Sequence, residues 1–274
     1  MQASYRYRPL QFFLLTYTLT WIPWLIAAVF SYRERTTPLS YVFFALGGLG
    51  PFAGALILIQ GSGSEALKKD FRIRLIELRR INPPYLLVTI LLMPCATVFA
   101  VWLSLYFGQS GDQLRVLPNM VSLLPLMIVA PTLEELGWRG YGMDGLLAEF
   151  DMLKGTFLFG IAWAIWHAPL FFINHTYQHD LWLLSPVYVI DFFVSVIPTA
   201  VIANWLYYKH DRLIPTAILF HFMLDAVPES LNIGHFTKLI VTAIFLVIAS
   251  MIVIIDRRAF SEGKRSFIES EPER

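Results

Sequence analysis

Charge is what this sequence has least of. Of 274 residues, 15% are Asp, Glu, Lys or Arg and 57% are hydrophobic, whereas a soluble domain carries about 25% charged residues. The formal net charge is only +1, so no global field points to nucleic acid as a partner. There is one cysteine, Cys95; a single thiol closes no internal disulfide, so the redox compartment is not legible from it. Neither HExxH nor GxSxG occurs, which removes the helical zinc-protease motif and the serine nucleophile elbow. No internal repeat is visible, against the inverted-repeat plan of many transporters. A cleavable leader is not expected either. Arg6 and Arg8 precede an apolar run from Leu10 to Phe30 that is longer than a signal-peptide core and has no small-residue cleavage site. It reads as an uncleaved first span.

What is present is a set of long apolar runs separated by short basic loops. Eight spans are predicted, at 10–30, 39–60, 84–107, 119–138, 155–173, 183–207, 213–230 and 237–256. Each is long enough for a hydrocarbon core of about 30 Å at about 1.5 Å per residue. The chain is thus expected to be an all-α polytopic integral membrane protein with an intramembrane polar cavity. One transmembrane domain covers 1–256, with a motif-bearing core at 119–230. A polar, mobile cytoplasmic tail follows at 257–274. With eight spans and the N-terminus inside, only Arg33, Arg35, Arg115 and Lys238 of the 21 Lys and Arg fall on the outer side. That bias places both termini in the cytoplasm, in the cytoplasmic or plasma membrane if the source is prokaryotic. The segment 65–80, EALKKDFRIRLIELRR, has apolar residues at helical spacing and reads as an amphipathic helix on the inner membrane surface.

Ionisable residues inside a bilayer are costly, and each is a functional-site hypothesis. Three groups stand out. Glu134-Glu135-Leu-Gly-Trp-Arg139 ends the fourth span. Residues four apart share a helix face, so Glu135 pairs with Arg139 and Glu134, about 100° round the helix, is left without that partner. A carboxylate paired with a guanidinium is a poor base, whereas an unpaired, partly desolvated one can take a proton from water. Trp163 and His167 share a face of the fifth span, where Pro169 frees the carbonyl of Ile165 and loosens the helix. His221 and Asp225 share a face of the seventh span, where they can orient one another, hold a metal or line a polar path. At helical rise Glu134 lies near the inner interface, His221 about 12 Å deep and His167 about 18 Å deep, which predicts a common cavity open to the cytoplasm.

Glu-Glu-x-x-x-Arg, aromatic-x-x-x-His and His-x-x-x-Asn/Asp on successive membrane helices resemble the CPBP family, which comprises type II CAAX prenyl endopeptidases and bacterial Abi-type proteins. The motifs span 134 to 225, about a third of the chain. The resemblance implies intramembrane proteolysis on a membrane-associated peptide or protein. Glu134 and His167 would activate a water, and His221 with residue 225 would stabilise the oxyanion. It leaves open whether the reaction is metal-dependent or runs on the glutamate alone. Two positions depart from the pattern. Trp163 stands where Phe is frequent. Asp225 stands where the prenyl proteases have Asn, and an ionised Asp accepts hydrogen bonds but cannot donate one to an oxyanion. Asp225 is then protonated, orients His221, or joins Glu134, His167 and His221 around a Zn²⁺.

The remaining polar residues read as structural. His175 and His179 are expected to be solvated loop residues that would bind metal only if their segment were helical. Asp191 is a candidate lining residue. Gly47, Gly50 and Gly54 form a close-packing face, and Trp21, Trp24 and Trp182 read as interfacial anchors. Two rival classes stay in play: a proton- or ion-coupled transporter, and a non-enzymatic membrane scaffold or immunity protein of the same fold.

Overall fold

The computed structural model describes residues 5–118, 120–261 and 263–268. Helices follow one another as α1 (Pro9–Ser31), α2 (Thr37–Gly48), α3 (Gly50–Gly61), α4 (Glu65–Ile76), α5 (Pro83–Tyr106), α6 (Met120–Gly137) and α7 (Met143–Leu147). They continue as α8 (Met152–Trp166), α9 (Tyr177–Leu184), α10 (Pro186–Lys209), α11 (Ile214–Ser230), α12 (His235–Ile255) and α13 (Arg257–Ser261). A π segment, Trp138–Gly142, joins α6 to α7, and a 3-10 segment, Ala168–Phe172, prolongs α8. Among the described residues the one extended pairing is an isolated bridge between Val116 and Leu231.

Six helical stretches are long and apolar enough to cross a bilayer: α1, α5, Met120–Leu147, Met152–Phe172, α10 and α12. The second span is a pair, α2 and α3, bent by 41°. The seventh, α11, has only 17 residues. The fourth runs on past Trp138 to Leu147, because the polar residues beyond Gly137 find partners inside the protein rather than ending the helix at water.

The bundle buries polar residues among its apolar core and turns large apolar side chains outward. Thr16, Thr20, Thr89, Thr97, Ser104 and Thr237 are buried, while Leu14, Val29, Leu87, Val247 and Ile254 are exposed. This arrangement suits lipid, where packing of small residues and interhelical hydrogen bonds replaces the hydrophobic drive. Helix α1 lies on α2 and α3 through the three glycines. A Cβ at Gly47 would run into the Trp24 indole, one at Gly50 into the Thr20 hydroxyl, and one at Gly54 would lie 2.7 Å from Thr16 Oγ1. A Cβ at Gly137 would likewise strike the backbone of Pro51, so α3 seats directly against the helix that carries Glu134. Trp24 is therefore not an interfacial anchor. It is 3% exposed, donates to the carbonyl of Phe44 and packs on Trp166. Trp182 is exposed, and Trp21 donates to the carbonyl of Trp166.

The loops assigned to the inner side gather at one end of the bundle around buried charge. Arg74 is fully buried rather than displayed on a surface helix. It pairs with Asp70 at 2.7 Å and Asp144 at 3.2 Å, and donates to the carbonyls of Arg139 (2.8 Å) and Gly140 (2.9 Å). A π turn is wider than an α turn, and these are carbonyls of the π segment that Arg74 caps from outside. Arg212 pairs with the same two aspartates, at 2.9 Å and 2.6 Å, and Tyr208 donates to Asp144. The start of the tail is held as well, against the expectation of a mobile segment. The amide of Arg265 donates to the carbonyl of Leu147, Phe267 stacks on Tyr208, and Phe260 and Ile268 are buried. The tail beyond 268, with Arg274, lies outside the described residues.

Candidate active site

Glu134 and Glu135 point different ways from the end of α6, as their offset on the helix dictates. Glu135 is 1% exposed; its Oε1 lies 2.7 Å from Arg139 Nη1 and accepts from His221 Nδ1 at 2.8 Å. The guanidinium of Arg139 stacks over Phe159 and Trp163, at 4.8 Å and 5.4 Å. Glu134 makes no ion pair among the described residues. Its Oε2 accepts from two indoles, Trp138 Nε1 at 3.2 Å and Trp163 Nε1 at 3.1 Å. Indole N–H groups satisfy the carboxylate without supplying a positive charge.

His167 closes α8 as its C-cap, where Pro169 ends the regular helix. Its Nδ1 lies 2.8 Å from the carbonyl of Trp163. A carbonyl only accepts, so Nδ1 carries the hydrogen and Nε2 of the neutral ring is left as an acceptor. The ring sits between Trp166 and Phe192, at 4.8 Å and 5.2 Å. Trp163 lies between the two histidines, 6.1 Å from the ring of His167 and 5.3 Å from that of His221. His221 Nε2 is 3.8 Å from Asp225 Oδ2, beyond a direct hydrogen bond.

Glu134, His167, His221 and Asp225 line one cavity of about 1260 Å³, together with Asp191. Glu135 and Arg139 lie behind its wall. The spacings predict a cavity open to the inner end, and the structure places it otherwise. Trp138, Arg139, Tyr141 and Asp144 are buried beneath the site, and among the described residues none of the inner loops lines the cavity. Its lining instead reaches Thr37, Asn174, His175, Glu229 and Lys238 at the opposite end, and runs between α2 and α6. The depth estimate failed because α6 continues through the π segment and buries what would have been an exposed mouth.

His175 and His179 do not form a pair on one helix face. His175 precedes α9 with φ 66°, while His179 is buried and bonds Tyr32 at 3.0 Å instead of being solvated. Glu134 Oε2 is held by two indoles, and both cavity histidines are anchored at Nδ1 and keep Nε2 available, an arrangement that metal-bound histidines share. Among the described residues no three His, Cys, Asp or Glu side chains converge as metal ligands. Glu134, His167, His221 and Asp225 face one cavity but do not converge on a single point as a Zn²⁺ ligand set. Two contacts escaped the sequence reading. Trp138 stands four residues after Glu134, a spacing that could have revealed it. The bond from His221 to Glu135 joins residues 86 apart and carries no local signal.

A carboxylate and two histidines facing a cavity inside a helical membrane bundle are suited to hydrolysis within the bilayer, and relatives bear on that directly. Residues 116–227 match the family model for type II CAAX prenyl endopeptidase, Rce1-like. A protein of Methanococcus maripaludis described as CAAX prenyl protease 2 is 36% identical over 268 residues, covering 96% of this chain and 99% of the relative. The molecule is an intramembrane protease. It belongs to the Rce1-like, type II CAAX prenyl endopeptidase family.

Proposed function

We propose that this protease hydrolyses a membrane-associated substrate on the C-terminal side of a lipidated cysteine in a C-a-a-X tail, releasing the residues that follow. The observation that supports this best is the placement of Glu134, without a cationic partner, in one cavity with His167 and His221. Glu134 takes a proton from a water that His167 Nε2 orients, and the water oxygen bonds to the scissile carbonyl carbon. His221 is held by Glu135 at Nδ1 and donates from a protonated Nε2 to the oxyanion. The C–N bond then breaks, and the leaving amine takes the proton from Glu134. Asp225 Oδ2, 3.8 Å from Nε2 and too far for a direct bond, leaves that N–H to the oxyanion and favours the protonated ring by its charge.

The charge bias and the proposed substrate call for opposite orientations of the mouth. The Lys and Arg bias puts both termini in the cytoplasm, and the mouth then faces away from it. A substrate with a cytoplasmic tail needs the reverse. Impermeant thiol labelling of cysteines introduced at Gln178 and Gly263 in intact cells assigns the two ends.

The reaction is tested with purified protein in liposomes and quenched peptides, with and without a lipidated cysteine. Wild type, Glu134→Gln and His167→Ala are compared, each with and without chelator. Loss of cleavage in both variants, with a preference for lipidated peptide, supports the reading. Cleavage that survives Glu134→Gln overturns it, and chelator sensitivity would show that a metal takes part.

A further inference from the structure

Lys238 stands out within the cavity. Among the described lining residues it is the one Lys or Arg, set against the carboxylates of Glu134, Asp191, Asp225 and Glu229. It sits one turn into α12, where the helix dipole disfavours a cation. A lysine near the end of a span ordinarily stretches toward water; this one turns inward. Its ammonium lies 4.2 Å from the centroid of the Tyr177 ring and 3.5 Å from Glu229 Oε1, with only 20% of the side chain exposed. The bond to Glu229 is long for a charge-assisted one, so a closer carboxylate would compete with it.

The position of this charge relative to the site has a definite length. Glu229 and His221 share α11 eight residues apart, about 12 Å at helical rise. Three extended residues span about 10 Å. We infer that Lys238 is a carboxylate-binding subsite that receives the free C-terminus of the substrate, with the scissile carbonyl at His221 and three residues between them. This rests on the proposed cleavage of a C-a-a-X tail. It adds that the enzyme recognises the chain end as an anion, so the register of cleavage is measured from the terminus. Glu229 holds the ammonium and yields it to the incoming carboxylate.

The experiment compares one lipidated C-a-a-X peptide as free acid and as C-terminal amide, reading kcat/KM for each. Wild type should prefer the acid by about tenfold or more, the scale of a charge-assisted bond. Lys238→Met should bring the ratio to about one, Lys238→Arg should retain a preference, and Glu229→Gln should raise it. Equal cleavage of acid and amide by wild type, or an undiminished preference in Lys238→Met, overturns the inference. A binding arm separates this from failure of the proposed reaction. Quenching of tryptophan fluorescence is titrated with an N-acetylated aliphatic tripeptide, acid and amide. If lipidated peptides are not cleaved but the tripeptide acid binds in a Lys238-dependent way, the reaction falls and the subsite stands. If acid and amide bind alike, the subsite falls whatever is cleaved.

Discussion

Two groups of carboxylates lie inside this bundle, and they are treated in opposite ways. At the inner end Asp70 and Asp144 are matched by Arg74 and Arg212, with Tyr208 and the carbonyls of the π segment completing the network. In the cavity Glu134 receives only the N–H groups of two indoles. Saturated charge fixes geometry, because any movement leaves a buried ion short of its partner. Charge that is hydrogen-bonded but not neutralised remains able to take up a proton. Glu135 stands between the two regimes. It is ion-paired with Arg139 like the inner aspartates, yet it grips His221 and so passes that rigidity to the site.

The contrast can be broken from either side. Glu134→Gln should lower kcat by about 10³-fold while the melting temperature in detergent stays the same or rises. A variant retaining a tenth of wild-type activity would dissolve the distinction. Asp144→Asn should do the reverse, costing about 3–5 kcal/mol of stability by leaving buried guanidiniums underpaired. The folded fraction should keep its turnover, as read by thermal denaturation alongside single-turnover assays. Glu135→Gln touches both regimes and should show both effects in reduced form, a loss of about 10–100-fold in kcat with a modest fall in melting temperature. Trp163→Phe keeps the ring wall and removes one donor to Glu134; kcat should fall by about tenfold with KM little changed.

The smallest effect concerns Asp256, a half-buried counterpart of the inner pairs just beyond α12. Hydrogen bonds from Lys209 and Trp205 hold its carboxyl below the usual range. A carboxyl depressed on folding contributes stability above its unfolded value of about 4, and that contribution is lost as pH falls below it. Asp256→Asn should lower the neutral plateau slightly and so flatten the acid limb, the two stability-against-pH curves converging at low pH where wild type has already lost the contribution.

What the sequence could reveal divides along the same line. The spans, the pairing of Glu135 with Arg139 and the close-packing glycines of the second span are local, periodic features, and spacing alone exposes them. Arg74 looked like one more surface charge on an amphipathic segment, because nothing near it in sequence announces that the carbonyls 65 and 66 residues away need a donor. The mouth of the cavity was misplaced for a related reason. Depth counted along a span assumes that the span ends where charge begins, and here Arg139 and Asp144 continue inward with partners of their own. Lys238 entered the sequence reading only as a count on the outer side, since the inward turn of one side chain leaves no trace in periodicity.

The bend between α2 and α3 divides one wall into two halves with different freedom to vary. The α3 half is clamped by Gly50 and Gly54 against α1 and by Pro51 against Gly137, so a change there would travel to Glu134. The α2 half is tied to α1 through Gly47 and Phe44, both against Trp24, but Tyr41 and Ala45 line the cavity between α2 and α6 without joining that contact. Mutational drift at those two positions reshapes the cavity wall and leaves the Glu134 helix where it is. The kink thereby separates the heritable record of substrate choice from that of catalysis within a single span.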